Sequence, residues 1–185
     1  MDILEAIHRR RSVREFASDP MGEAVLRRLI DAATWAPSAI NEQPWHFTVV
    51  RDQQKLDAIS KQAKAHLLSA PTESAPSHLR EMLRNPDFQI FYHAPALIVI
   101  SAMPGGAWAV EDCALAAENL MLAACAEGLG SCWIGFAQGW LQTQQGKQAL
   151  ELPATAMPVA PIIVGRPATT TPPVPRKEPQ IRWLG

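Results

Sequence analysis

The sequence has little cysteine, no excess of either charge and no long uninterrupted apolar run. Cys113, Cys125 and Cys132 are odd in number and fall at no metal-binding spacing, so reduced thiols are expected. Seventeen Lys and Arg stand against 18 Asp and Glu in 185 residues, a net charge of -1. That balance argues against a general nucleic-acid binder or an anionic-membrane binder. The longest apolar stretch, 113–126, is interrupted by Glu118 and Asn119 and is too short to span a bilayer. The opening "MDILEAIHRR" lacks the basic-then-apolar layout of a secretory leader. No serine sits in GxSxG, no Cys–His arrangement is evident, and His8, His46, His66, His78 and His93 show no ligand-type pairing. No metal is expected. The expectation is a soluble, cytoplasmic chain: one domain over 1–165 and a proline-rich tail over 166–185.

What is present is a mixture of helical and strand patterns. Residues 2–10 read as a short helix with Ile3, Leu4 and Ile7 on one face. Residues 22–36 read as an amphipathic helix, with Val25, Leu26, Leu29, Ile30 and Ala33 inward, ending before Pro37. "WHFTVVRD" at 45–52 reads as a strand, and a polar helix follows at 53–69. Residues 71–89 read as a loop with one short helix. "PALIVISA" at 95–102 reads as a strand buried on both faces. Residues 107–127, with eight alanines, form the longest predicted helix, terminated at Gly128. "SCWIGF" reads as a short strand leading into a loop, 140–150 as a polar helix, and 159–165 as the last strand. The tail ends in "IRWLG", whose Trp183 and Leu184 suggest docking on a second subunit. Intermixed strands and helices indicate a layered α+β or α/β domain.

Three stretches could carry chemistry. In "HRRRSVREF" (8–16) arginine clusters in a nearly neutral chain. Arg10, Arg11 and Arg14, with Ser12 among them, could make an oxyanion cradle, since guanidinium groups bind phosphate through paired, charge-assisted bonds. A solvated basic helix end, favourable to the helix dipole, explains the same spacing equally well. In "APSAINEQPWHF" (36–47), Asn41 and Gln43 could meet a heteroaromatic edge, although an ordinary polar turn is the simpler reading. "GLGSCWIG" (128–135) fails as a dinucleotide fingerprint, because the third glycine would fall at Trp133 and the motif follows a helix. Its glycines do suggest close backbone approach to something, and a backbone N–H near Ile134 or Gly135 could meet a planar ligand. The six tryptophans read as core or interface residues, and Glu118 and Asn119 as structural groups with satisfied partners.

Four segments, "RRRSVREF", "APSAINEQPWHF", "DCALAAENLMLAACAEGLGSCWIGF" and "PIIVGRPA", together resemble the FMN-dependent nitroreductase family, in the family's order and over nearly the whole chain. The resemblance implies an α+β three-layer fold, with helices flanking a mainly antiparallel central sheet. It implies a homodimer with two FMN sites at the subunit interface. Arg10, Arg11 and Ser12 match positions that hold the FMN phosphate and ribityl chain, and Arg14 a basic position near the flavin N1/O2 edge. Pro37, Ser38, Ala39 and Asn41, with Gln43 beside them, match the segment that reaches the flavin from the partner subunit. Trp133, Ile134 and Gly135 match the segment facing the N5/O4 edge, the last two as backbone donors. Arg176, or Lys177 in an alignment shifted by one, matches a late basic residue that closes on the phosphate. Arg9 is left without a part and is expected to be exposed.

Only "MPGGAW" (103–108) stands where larger members carry a helical excursion, so the resemblance is to the short bacterial type, with 71–93 as the candidate cover of the site. The implied activity is a ping-pong oxidoreductase. It takes hydride from NADH or NADPH at flavin N5 and passes it to a nitroaromatic, quinone or similar small electron-poor acceptor, with no catalytic side chain required. The alternatives are other FMN chemistry (dehalogenation, ene-reduction or flavin fragmentation) and a non-catalytic flavin-binding protein.

Overall fold

The computed structural model describes residues 1–69, 77–104 and 106–185. Along these run α1 (Ile3–Arg9), α2 (Glu23–Thr34), β1 (Trp45–Val50), α3 (Gln53–Ser69), α4 (Ser77–Arg84), β2 (Ala96–Ala102), α5 (Ala109–Ala126), β3 (Gly130–Trp133), α6 (Gly135–Leu141), α7 (Gln144–Ala149) and β4 (Met157–Gly165). The four strands form one antiparallel sheet in the order β1-β2-β4-β3. This is the expected mixed α+β architecture.

All seven residues of β2 are buried, because helices cover both faces of the sheet. Successive side chains on a strand point to opposite faces. Ala96, Ile98 and Ile100 accordingly join Leu26 and Leu29 of α2 and Ala116, Ala117 and Leu120 of α5. Leu97 and Val99 join Leu56, Ile59 and Ala63 of α3 and Ala137 and Leu141 of α6. The β2–β4 register slips between Ile100 and Ser101, so Val159 and Ala160 both reach the α2–α5 side.

Pro161 lies in β4, between β2 and β3. Its carbonyl accepts the Ile134 N–H at 2.8 Å, but proline has no N–H to return. The Ile134 carbonyl instead accepts from Ala137 N–H at 3.1 Å, and the chain turns into α6. The loop expected after "SCWIGF" is therefore a helix, hidden in the sequence by the low helix propensity of Gly135 and Gly139. The polar helix expected at 140–150 begins later, at α7, capped by Thr143, whose hydroxyl accepts from Gly146 N–H at 3.1 Å.

Helix α1 is capped by Asp2, whose carboxylate accepts from Glu5 N–H at 2.8 Å. Only Ala6 of this helix is buried. The face bearing Ile3, Leu4 and Ile7 remains uncovered within the single chain. The tail is tied at its root, where Ala168 N–H donates to the Glu15 carbonyl at 2.9 Å and Thr169 Oγ1 to Glu15 Oε2 at 2.7 Å. Beyond Thr171 every residue is exposed, and Trp183 and Leu184 find no place on their own chain. No helix among the described residues is long and apolar enough to cross a membrane.

Candidate functional site

Arg10 closes α1 with an extended backbone, so residues 11–14 leave the helix as a short ribbon. The ribbon runs beside β3: Ser12 bridges Ser131, and Val13 N–H donates to the Ser131 carbonyl at 3.0 Å. A Cβ at Gly130 would lie 2.8 Å from the Val13 side chain, so only glycine admits this approach. The close contact expected at "GLGSCWIG" is, at Gly130, with the arginine stretch. Gly128, at φ 72°, ends α5 as expected.

Arg9, Arg10 and Arg11 line a cavity of about 340 Å³ together with Cys125, Thr169, Thr170 and Thr171. The threonines and Cys125 were not foreseen, although three consecutive threonines after Pro167 could have suggested a hydroxyl-rich wall. Arg9 is 63% exposed at its side chain and pairs with Glu5 at 2.8 Å, in keeping with its expected exposure. Arg11 Nη1 donates to the His8 and Arg10 carbonyls at 2.7 and 2.8 Å. Arg10 Nε stands 3.4 Å from Glu118, an ion pair without hydrogen-bond geometry. The buried Nε donors of Arg10 and Arg11 consequently have no acceptor among the described residues. Buried donors of this kind are costly unless something accepts from them.

Ser12 and Arg14 do not line this cavity. Side chains alternate along an extended ribbon, which sets Ser12 and Arg14 opposite Arg11 and Val13. Ser12 thus shares a side of the ribbon with Arg14, and Arg10, Ser12 and Arg14 all act on the Cys132 thiol. The Arg14 guanidinium instead lies 5.9 Å from the centre of the Tyr92 ring. Burial pushes the Cys132 thiol up from its ordinary range, opposed by the Arg14 cation, a hydrogen bond with Ser12 and the Arg10 cation.

The second predicted segment is a strained turn at the start of α5. Ile40, Asn41 and Gln43 all have positive φ, at 46°, 59° and 50°. For a β-branched residue such as Ile40 this is a genuine outlier. Ala39 N–H donates to buried Asp112 Oδ1 at 3.1 Å, and Gly106 N–H donates to Glu42 Oε2 at 2.7 Å. Inside the turn, Gln43 N–H donates to Ser38 Oγ at 3.0 Å and Gln43 Nε2 to Asn41 Oδ1 at 3.1 Å. Pro37, Ser38, Ala39, Asn41 and Gln43 do not meet the arginine cavity within one chain.

Of the third segment, Trp133 is half-buried against the α2–α5 core. The Ile134 N–H is engaged within the sheet, donating to the Pro161 carbonyl. Gly135, exposed and with open space where a Cβ would stand, keeps its N–H unpartnered among the described residues. Arg176 and Lys177 stand exposed in the tail and are not brought to the cavity.

A feature that sequence reading missed lies in residues 85–94. Four polar side chains of α3, at 53, 57, 60 and 64, share one helical face and fasten this loop. Gln53 Nε2 donates to the Ala94 carbonyl at 3.0 Å, and Gln89 Nε2 donates to Asp57 Oδ1 at 3.0 Å. Ile90 N–H donates to Ser60 Oγ at 3.1 Å, and Lys64 Nζ donates to the Asn85 and Phe88 carbonyls at 2.7 and 2.6 Å. The fastened loop holds Tyr92 and His93 at positive φ, 53° and 52°, a conformation costing about 1–3 kcal/mol per residue. Residues 71–76 of the expected cover at 71–93 lie outside the described residues. In the described part, Leu83 of α4 and Ile90 and Phe91 are buried in the α3–α6 core, while Tyr92 meets Arg14.

Comparison with known proteins adds four findings. The model of the nitroreductase family matches residues 7–166. A candidate NADH dehydrogenase/NAD(P)H nitroreductase of Methanothermobacter thermautotrophicus is 32% identical over 173 residues, 91% of this chain and 78% of that protein. The crystal structure of a nitroreductase with bound FMN from Bacteroides fragilis superposes with a TM-score of 0.85 at 29% identity, covering 100% of both chains. Another FMN-bound nitroreductase, from Desulfitobacterium hafniense, gives a TM-score of 0.85 at 26% identity, also over 100% of both chains.

Proposed function

The chain belongs to the nitroreductase family and is an oxidoreductase, and from that premise we propose that it binds FMN and uses NADH or NADPH to reduce nitroaromatic, quinone or similar electron-poor acceptors by a ping-pong mechanism. One observation supports the cofactor most directly. Arg10 and Arg11 present buried Nε donors without acceptors at a cavity walled by three arginines, which fits a phosphate monoester. When bound, FMN supplies the hydride chemistry that no side chain of this protein offers.

The protein's own residues divide the remaining work. Arg10 and Arg11 hold the phosphate, with Ser12 toward the ribityl chain. Arg14 places a cation where negative charge develops at the ring edge, a preorganised stabilisation that favours the reduced form. Gly135 offers the remaining backbone donor of its segment. Pro37, Ser38, Ala39, Asn41 and Gln43 act from a second copy, with Arg176 or Lys177 of a tail closing on the phosphate. The uncovered apolar groove between α1, α2 and α5, lined by Ile3, Trp35 and Leu122, supports such a homodimer.

The test is the visible spectrum of the purified protein and FMN titration of its apoprotein. A yellow protein, or saturable FMN uptake, is expected. Arg10→Ala should weaken FMN binding by about 1.5–3 kcal/mol, the value of one charged hydrogen bond. A colourless protein that takes up no FMN overturns the cofactor assignment, and unchanged affinity in Arg10→Ala overturns the role of that residue.

A further inference from the structure

Tyr92 is the single tyrosine of the chain, and the structure puts unusual effort into placing it. Its backbone and that of His93 sit in the left-handed region, where non-glycine residues are uncommon. Such a conformation persists only where surrounding contacts over-determine it. Those contacts are the α3 stripe, the Tyr92 N–H bond to the Gln89 carbonyl at 2.9 Å and the Ala94 N–H bond to the Phe91 carbonyl at 3.0 Å.

The side chain is held as firmly as the backbone. Lys64 Nζ lies 5.7 Å from the Phe88 ring, Phe88 meets Tyr92 edge-on at 5.6 Å, and Arg14 lies 5.9 Å from Tyr92. The result is a ladder of cation, ring, ring and cation running from α3 to the arginine ribbon. Arg14 is exposed and forms no ion pair among the described residues, so the tyrosine ring is the contact that restrains its guanidinium. A cation within about 6 Å of an aromatic centroid is attracted to the ring face.

We propose that Tyr92 is a positioning residue for Arg14: the strained, α3-anchored loop presents its ring so that the guanidinium is held in one place on the side of the ribbon that it shares with Ser12. The inference rests on the FMN reading for its consequence, because Arg14 is the residue assigned there to the flavin ring edge. The contact itself does not depend on that reading. A guanidinium already restrained needs no ordering when negative charge arrives, so the ring's contribution is felt chiefly by reduced FMN.

The charged and titratable groups facing the Tyr92 phenol are Arg14 and Cys132. Burial pushes the phenol up, with the Arg14 cation and its hydrogen bond opposing and Cys132 adding to the rise. Because no other tyrosine is present, the ultraviolet titration of tyrosinate in the apoprotein reports this group alone. Arg14→Ala, an exposed substitution, should move that titration to higher pH. An unmoved titration overturns the contact whether or not FMN binds.

The second arm uses the FMN-loaded protein. Tyr92→Leu should weaken reduced FMN relative to oxidised FMN by about two- to fivefold, read as a negative shift of the midpoint potential. Tyr92→Phe, which keeps the ring, should restore the wild-type potential. Arg14→Ala/Tyr92→Leu should match Arg14→Ala alone, because the tyrosine acts through the arginine. A Tyr92→Leu potential equal to wild type, or additive shifts in the double variant, overturns the proposal. Failure of the wild-type protein to bind FMN defeats the functional reading instead, and leaves the apoprotein titration as the deciding measurement.

Discussion

Helices α5 and α3 face each other across the sheet and use their polar residues in opposite ways. α5 is apolar nearly all round, and its few polar groups go to three different places. Asp112 receives the Ala39 N–H of the 36–43 turn, Glu118 faces Arg10 at 3.4 Å, and Asn119 Nδ2 donates to the Ala32 carbonyl of α2 at 3.3 Å. α3 is polar on much of its surface, yet four of its polar groups go to one loop. One helix is a hub, and the other is a fastener. A hub transmits damage to every element it touches, whereas damage to a fastener stays local.

The sharpest way to break the comparison is to damage the hub's core. Leu120→Ala removes a side chain that is 0% exposed and should cost about 3 kcal/mol in urea unfolding, lowering stability of the whole domain. On the fastener, Ser60→Ala orphans the buried Ile90 N–H and should cost about 1–2 kcal/mol. Its signature should be lost hydrogen-exchange protection within 85–94, with β2 and β4 protected as before. Global loss of protection in Ser60→Ala would erase the distinction.

A smaller effect sharpens the hub further. Burial, with Asp112 adding to it, pushes the Cys113 thiol from 9.0 up to about 12. The unfolded chain releases this proton near 9 while the folded chain keeps it, so that part of the stability is present below about 9 and is lost as pH rises toward about 12. Cys113→Ala should show a shallower decline over that window in urea titrations. The smallest effect belongs to neither helix. Glu23→Gln breaks an exposed i,i+4 pair with Arg27 and should leave the melting temperature unchanged.

The difference between the helices also marks what was legible in the sequence. Helices α2 and α3 and strands β1, β2 and β4 follow from periodicity and apolar runs, because burial imposes those patterns locally. Asp112, Glu118 and Asn119 stand out in an apolar helix, so that they have partners is legible, but which partners is not. The stripe at 53, 57, 60 and 64 looks like ordinary solvated polarity, because its purpose lies some 20 to 40 residues away. Helix α6 was missed because its start is dictated by a proline on another strand. The positive φ of Tyr92 and His93 has no residue signature at all. Within the site, the arginines were visible as a cluster, but the pleat that separates Ser12 and Arg14 from Arg11 required the ribbon's pairing with β3.

Pro161 has a bearing on the open N–H of Gly135 that its place in mid-strand conceals. Because it cannot donate, it acts as a stop on β3, ending that strand at Trp133 and sending the following residues into α6. The height at which Gly135 opens its N–H is therefore set from across the sheet, by a residue lying deep in the core. A chain with a donor at 161 could zip β3 one rung further and carry that opening away from its level. The proline serves as a gauge block, holding a surface donor at a fixed distance from the buried floor beneath it.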